Sequence, residues 1–250
     1  MDKNSLIDVE GVTVRFNRKT VLNGISLSIS KGESLVIAGP SGCGKSVFLK
    51  TMLGLIECEK GSIRIAGIDI VDAPRRQIME LRGKIGMVFQ NSALFDSLLV
   101  WENVGFFFLH HSSLPEGVIR EKAIEALKAV DLPGVEDQLP EQLSGGMKKR
   151  VSIARALISN PEILCYDEPT TGLDPITSVH ITRLMEKIHK QFSTTDITVT
   201  HDVKLASRIA DRIALLENGT VAEIGTFEEL RGTSKNPLII SYLEAFGNSH

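Results

Sequence analysis

Three cysteines in 250 residues are few, and Cys43, Cys58 and Cys165 are odd in number, scattered and without metal-ligand spacing. Neither a disulfide framework nor a zinc site organises such a chain, and the thiols read as reduced residues of a cytosolic protein. Long hydrophobic runs are also missing. A bilayer span needs about 20 apolar residues, and the uninterrupted cluster Phe106-Phe107-Phe108-Leu109 near the middle is far too short. There is no excess of positive charge. The formal net charge is -3, which removes the electrostatic case for a nucleic-acid partner. The start, Met1-Asp2-Lys3-Asn4-Ser5, lacks a signal-peptide core and leads into a strand pattern. No internal repeat, low-complexity tract or linker interrupts the sequence. With 42% hydrophobic and 24% charged residues, the composition is that of an ordinary globular protein of one large or two small domains.

One stretch stands out against this plain background. Gly39-Pro40-Ser41-Gly42-Cys43-Gly44-Lys45-Ser46 satisfies G-x-x-x-x-G-K-[ST], the pattern of a phosphate-binding P-loop. Its three glycines allow positive φ and leave no Cβ between the backbone and a phosphate. Successive N–H groups can converge on the anion, and a following helix adds the positive end of its dipole. Lys45 would reach the β- and γ-phosphates, and the Ser46 hydroxyl would sit on Mg²⁺. The flanks agree. Ser34-Leu35-Val36-Ile37-Ala38 reads as a buried strand, and residues 47–55 read as a helix stopping near Gly54. Cys43 lies inside the loop, so its alkylation would block nucleotide binding.

Before the loop, residues 6–10 and 12–16 read as alternating strands with Gly11 between them, followed by a strand over 21–29. Phe16 falls in this sheet near a turn, where a half-buried strand aromatic is the ordinary reading. A further alternating strand covers 62–67. Lys84-Ile85-Gly86-Met87-Val88-Phe89-Gln90 is an apolar strand ending on Gln90, and 91–96 reads as a loop. The pattern is helical from 97 to about 130, and again from Gly146 to Asn160-Pro161. Residues 162–168 form another buried strand that terminates in Asp167 and Glu168, which makes sense where a cation waits. Asp174-Pro175 opens a helix running to about Phe192, with Asp as N-cap and Pro at the first position. A strand over 197–200 ends on His201. Residues 213–217 and 221–224 form a hairpin around Asn218-Gly219. Four strands thus end on a candidate, and in an open parallel α/β sheet ligands bind beyond those ends.

A P-loop with an apolar strand ending in Asp is a nucleotide-hydrolase pair. Asp167 would hold Mg²⁺, and Glu168 would polarise the attacking water. Alone, Glu168 could be a solvated strand-end acid, and His201 a satisfied structural residue. Leu143-Ser144-Gly145-Gly146-Met147 then adds a second helix start built to meet an anion. One nucleotide cannot easily use both.

With these residues together, nearly the whole chain resembles the ATP-binding subunit of an ABC transporter, in that family's motif order. Walker A is 39–46, the Q-loop centres on Gln90, and the signature is 143–147. Walker B is 163–167 with Glu168 next, the D-loop holds Gly172-Leu173-Asp174, and the switch histidine is His201. Phe16 falls where the family places its adenine-stacking aromatic. The resemblance implies an α/β P-loop NTPase (RecA-like) core with an antiparallel β subdomain and an inserted α-helical subdomain. That is a single nucleotide-binding domain over 1–250, with 91–160 as the helical part and 1–90 with 161–250 as the rest. It implies a head-to-tail homodimer in the ATP-bound state, with each Walker A, including Pro40, Ser41, Gly42, Cys43, Gly44 and Val47, facing the partner's Ser144, Gly145 and Gly146. Gln90 and His201 join Lys45 and Glu168 as catalytic residues, Gln90 also meets the metal, and Asp174 meets the nucleotide. Closing on ATP and reopening would drive two membrane permease subunits, with the chain peripheral on the cytoplasmic face of the inner membrane. Their coupling helices would enter a groove of the helical subdomain, which Phe106-Phe107-Phe108 either lines or fills as internal core.

Departures from the commonest pattern narrow the resemblance. Val47 replaces the usual Thr or Ser, Met147 the usual Gln, and Gly172 the usual Ala. The run 90–104, from Gln90-Asn91-Ser92-Ala93-Leu94-Phe95-Asp96 through Trp101-Glu102-Asn103-Val104, together with Gly44-Lys45-Ser46-Val47 and Asp174-Pro175-Ile176-Thr177, resembles ATPases of the lipid-asymmetry and mammalian-cell-entry phospholipid transporters. Those work with a membrane-anchored lipid-binding protein. An importer ATPase for amino acids or other polar solutes shares most of these motifs, and a regulatory ABC ATPase of a cell-division complex shares the core. The C-terminal stretch 237–246 reads as a short amphipathic helix that packs on its own core, docks on the other subunit or binds a small regulator.

Overall fold

The computed structural model describes residues 5–234 together with Asn236 and Ile240. Its elements in order are β1 (Ser5–Phe16), β2 (Lys19–Ser30), β3 (Ser34–Ala38), α1 (Lys45–Met52), β4 (Lys60–Ile65), β5 (Ile68–Asp69), α2 (Arg75–Arg82), β6 (Ile85–Val88), α3 (Val100–His111) and α4 (Glu116–Ala129). A short 3-10 turn then precedes α5 (Gly145–Leu157), β7 (Ile163–Asp167), α6 (Pro175–Phe192), β8 (Thr195–Thr200), α7 (Val203–Ile209), β9 (Arg212–Glu217), β10 (Thr220–Gly225) and α8 (Phe227–Thr233). They fall into two compact units, one of residues 1–82 with 195–250 and one of 83–194. The expected helix over 237–246 lies outside the described residues.

In the first unit, β1 pairs antiparallel with β2 on one side and β4 on the other, and β5 extends that sheet. Ile7, Val9, Val12 and Val14 of β1 are buried, as are Leu22, Ile25 and Ile29 of β2. The strands expected over 6–10 and 12–16 are one strand. Gly11 does not end it but takes a φ of 61°, where the register against β2 shifts between Val9 and Val12. A glycine can absorb the extra residue of a bulge in the left-handed region, so pairing resumes beyond it.

All five residues of β3 are buried, because parallel neighbours β8 and β9 flank it. Such a strand reads as a continuous apolar run. Val36, Ala38, Ile213 and Leu215 pack with Ala206 of α7 and Leu230 of α8. These two seven-residue helices and α2 are absent from the sequence expectation. Isolated helices that short are marginal, and burying even one aliphatic side chain contributes about 1.5–3 kcal/mol. Tertiary packing decides them.

In the second unit, β6 and β7 are parallel, with Ile85 opposite Ile163 and Val88 opposite Tyr166. A Cβ at Gly86 would lie 2.6 Å from the Ala156 carbonyl oxygen, so glycine there lets α5 approach the strand. The helical stretch expected from 97 to 130 is two helices. α3 stops at Ser112, and Pro115 stands as the residue before α4. Proline cannot continue a helix, and it pushes its predecessor to extended backbone. In the Phe106-Phe107-Phe108 run no ring is buried: Phe107 is exposed, and Phe106 stacks on Phe95 and meets His110 at a tilt, with ring centres 4.4 Å from each.

Candidate functional site

In the first unit the phosphate loop joins buried β3 to α1. Gly39 takes a φ of 152°, and a Cβ on it would run into the Leu216 carbonyl oxygen of β9. Gly44 stands before the helix at φ 111°, close against Leu22 of β2. Both glycines are dictated by neighbouring backbone and side chains. Gly42 differs: its φ is 81° and nothing lies within 4 Å of a Cβ there, so that face of the loop is open. The Lys45 ammonium donates to the carbonyls of Gly39 at 2.9 Å and Pro40 at 3.1 Å, folding the side chain back over its own loop. The register of β3 with β8 sets Ala38 opposite Thr200, so the phosphate loop and His201 leave the sheet at the same edge. His201 is exposed. Asp202 beside it caps α7 by accepting from the Lys204 and Leu205 N–H groups. Phe16, at the end of β1, is 46% exposed, more open than the half-buried strand aromatic of the ordinary reading.

The second unit holds the other candidates. Asp167 closes β7 and Glu168 follows it, and Gln90 stands two residues beyond β6, so the parallel pair delivers all three to one edge. Asp167 and Glu168 are buried and Gln90 is exposed. Glu168 has a φ of 47°, unusual for a side chain with a Cβ, and its carboxylate accepts from the Thr171 hydroxyl at 3.2 Å. Ser144 caps α5 by accepting from the Met147 N–H at 3.3 Å, and the helix starts at Gly145, one residue ahead of the start expected at Gly146. Ser144 and Gly145 are exposed. Gly146 has a packing reason as well, since a Cβ there would lie 2.6 Å from the Thr177 methyl of α6. Asp174 caps α6, accepting from the Ile176 and Thr177 N–H groups at 3.0 Å each. The Thr177 hydroxyl and then these N–H groups hold its carboxyl below the usual range.

Three residues at this site escaped sequence reasoning. Lys149 of α5, 2% exposed, donates to the carbonyls of Phe89 at 3.0 Å and Gln90 at 2.7 Å. Burial lowers its ammonium to about 8, opposed by the Asp167 carboxylate. Arg155 of the same helix donates to the carbonyls of Ser92 at 2.7 Å and Ala93 at 2.6 Å, and burial pulls it below its ordinary value. Asn103 of α3, fully buried, accepts from the Phe95 N–H at 2.7 Å and donates to the carbonyls of Phe95, Leu98 and Leu99. One signal was available: Lys149 sits four and seven residues before Ile153 and Ala156, on a face where only Ser152 is also polar.

The description "ABC transporter" matches residues 22–171. A probable ribonucleotide transport ATP-binding protein of Mycobacterium leprae is 38% identical over 237 residues, which are 95% of this chain and 68% of that protein. An intermembrane phospholipid transport system ATP-binding protein, MlaF of Haemophilus influenzae, is 36% identical over 92% of this chain and 87% of its own. Among solved structures, the dimeric ATP-binding cassette MJ0796 in a post-hydrolysis state, bound to ADP and phosphate, superposes with a TM-score of 0.79. It is 33% identical, over 88% of this chain and 98% of its own. A glycine loop between buried strand and helix, a strand ending in two acids, and a capped Ser-Gly-Gly helix start thus recur here with the family's fold, and the chain belongs to the ABC transporter family as an ATP-binding, ATP-hydrolysing subunit.

Proposed function

We propose that this chain powers the movement of phospholipid between membranes, working head-to-tail with a second copy around two ATP. The observation that carries the pairing is chemical. Each unit offers its own approach to a helix start suited to an anion, the exposed loop at Gly42 ahead of α1 and the exposed Ser144-Gly145 turn of α5, and one nucleotide does not use both. The dimeric, nucleotide-bound cassette described above supports the pairing of two copies.

Within this reading the backbone of 39–47, with Pro40, Ser41, Cys43 and Val47 contributing N–H groups where they have them, cradles phosphate. Lys45 exchanges its loop carbonyls for phosphate oxygens. Ser46, Gln90 and Asp167 would hold Mg²⁺, and hydroxyl, amide and carboxylate oxygens are the hard donors that ion takes. The metal would neutralise charge on the transferred phosphoryl group. Glu168 draws the proton from the attacking water, His201 steadies the departing phosphate, and Asp174 and the partner's signature complete the pocket. Phe16 stacks on adenine. The part over 91–160, with open Phe107, receives the coupling helices of two permease subunits, on the cytoplasmic face of the inner membrane, beside a membrane-anchored lipid-binding protein. Among the described residues no helix is long and apolar enough to cross a membrane.

The phospholipid cargo leans on the likeness to MlaF and on the run 90–104. A polar-solute cargo has one observation in its favour, the relative described as a ribonucleotide transport protein. Pull-down of the tagged chain from its own membranes, with Lys45→Ala as control, tests both. Recovery of a permease, a lipid-binding protein and phospholipid enriched over the control is expected. Recovery of a permease with a soluble solute-binding protein, or of division proteins, would overturn the cargo.

A further inference from the structure

The loop that carries Gln90 pairs with no strand along 89–93, yet four of its carbonyls are taken by one helix. Lys149 takes those of Phe89 and Gln90, and Arg155 those of Ser92 and Ala93. Six residues of α-helix rise about 9 Å, so α5 runs beside the segment for much of its length. The loop needs that grip. Ser92 and Ala93 stand consecutively at φ 60° and 48°, a region that residues with a Cβ avoid, and the Ala93 N–H turns back to the Asn91 carbonyl at 2.6 Å. The same helix begins at Ser144. Gln90 and the signature start therefore hang on one rigid rod.

We propose that Lys149 and Arg155 are positioning residues of the ATPase cycle, clamping the loop that bears Gln90 to the helix that begins at Ser144 so that the two nucleotide-facing ends move as one. The proposal rests on the ATPase reading above. Neither side chain is assigned a contact with nucleotide; both act through the backbone they hold. A point charge on a long stem suits Lys149, which reaches two carbonyls from a buried position. The planar fork of Arg155 suits two adjacent carbonyls at a bend. Removing Lys149 takes the side-chain donor from the Gln90 carbonyl, and removing Arg155 those from Ser92 and Ala93, rather than opening a large cavity.

The test is amide hydrogen exchange on the full chain, alongside steady-state ATP hydrolysis, for Lys149→Met, Arg155→Met and the conservative Arg155→Lys. Exchange over 90–97 is expected to quicken about tenfold in each Met variant while amides of 147–157 stay at the wild-type rate. Turnover should fall about tenfold with KM for ATP unchanged, the pattern of a misplaced rather than a missing group. Arg155→Lys, which keeps a donor at the bend, should recover part of both. If Lys149→Met does not fold, Arg155→Met with its Lys rescue decides alone. Unchanged exchange over 90–97 would overturn the clamp. So would exchange that quickens equally in loop and helix, or a loosened loop with wild-type turnover. A wild-type chain that hydrolyses no ATP would defeat the ATPase reading and leave the exchange comparison standing.

Discussion

The loop after β3 takes its shape from its own residues, whereas the loop after β6 takes its shape from helices elsewhere in its unit. In 39–46 Gly39 and Gly44 fit because Leu216 and Leu22 leave no room for a Cβ, and Lys45 closes the turn on its own carbonyls. In 89–99 the strained residues are not glycines but Ser92 and Ala93, and the backbone is held by Lys149, Arg155 and Asn103. A phosphate cradle must present its N–H groups, so its shape is built without spending them on side chains. A loop that delivers one amide side chain can be tied down through its carbonyls. Chemistry decides which device is used.

The largest effect should come from the strand end between these two styles. Glu168→Gln keeps an acceptor for the Thr171 hydroxyl and the same size, and removes only the charge. Turnover should drop by about 10²–10⁴-fold, the usual worth of a general base. ATP affinity should hold, and a dimer should accumulate on gel filtration with ATP. A fully active variant would show that the acid is architectural.

Asn103→Ala attacks the side-chain style directly. It leaves the part-buried Phe95 N–H and Leu98 carbonyl without the amide, while the Phe95 and Leu99 carbonyls keep the Leu98 and Asn103 N–H groups, and should destabilise the chain by about 3 kcal/mol in urea unfolding. A change within error would mean the loop holds itself. Gly39→Ala attacks the other style. Its Cβ meets a backbone oxygen that cannot rotate away, so the cost should be about 2 kcal/mol, with ATP affinity reduced about tenfold. Wild-type affinity would show that the cradle tolerates a shift of β9.

The same contrast explains what could be read from the sequence. The phosphate loop was legible with its flanks because glycine spacing, an apolar strand and a helix are all local, and β3 spans the five residues expected. The helix start at 143–147 and the Asp174-Pro175 cap were legible for the same reason. Lys149 and Arg155 were not, since their partners lie 59 to 63 residues away and a basic run gives no hint of carbonyls. The helices α7 and α8 escaped because seven residues hold less than two turns of pattern, and β1 was divided because a bulge glycine looks like a turn glycine.

Phe16 should give the smallest effect, and it asks whether either style extends to the base. The side chain stands at the tip of the β1–β2 hairpin, opposite Lys19, with 46% of its surface in water. A ring already so exposed contributes little to the core, so Phe16→Ala should leave the unfolding midpoint nearly unchanged. Stacking on a base is worth about 1–3 kcal/mol, and an exposed ring that keeps one face wet should fall near the low end. ATP affinity should then weaken about fivefold, with GTP weakened alike, because a π-face does not read the base edge. Phe16→Tyr should restore it. Unchanged affinity with a lowered midpoint would return Phe16 to the sheet and leave adenine held by the phosphates alone.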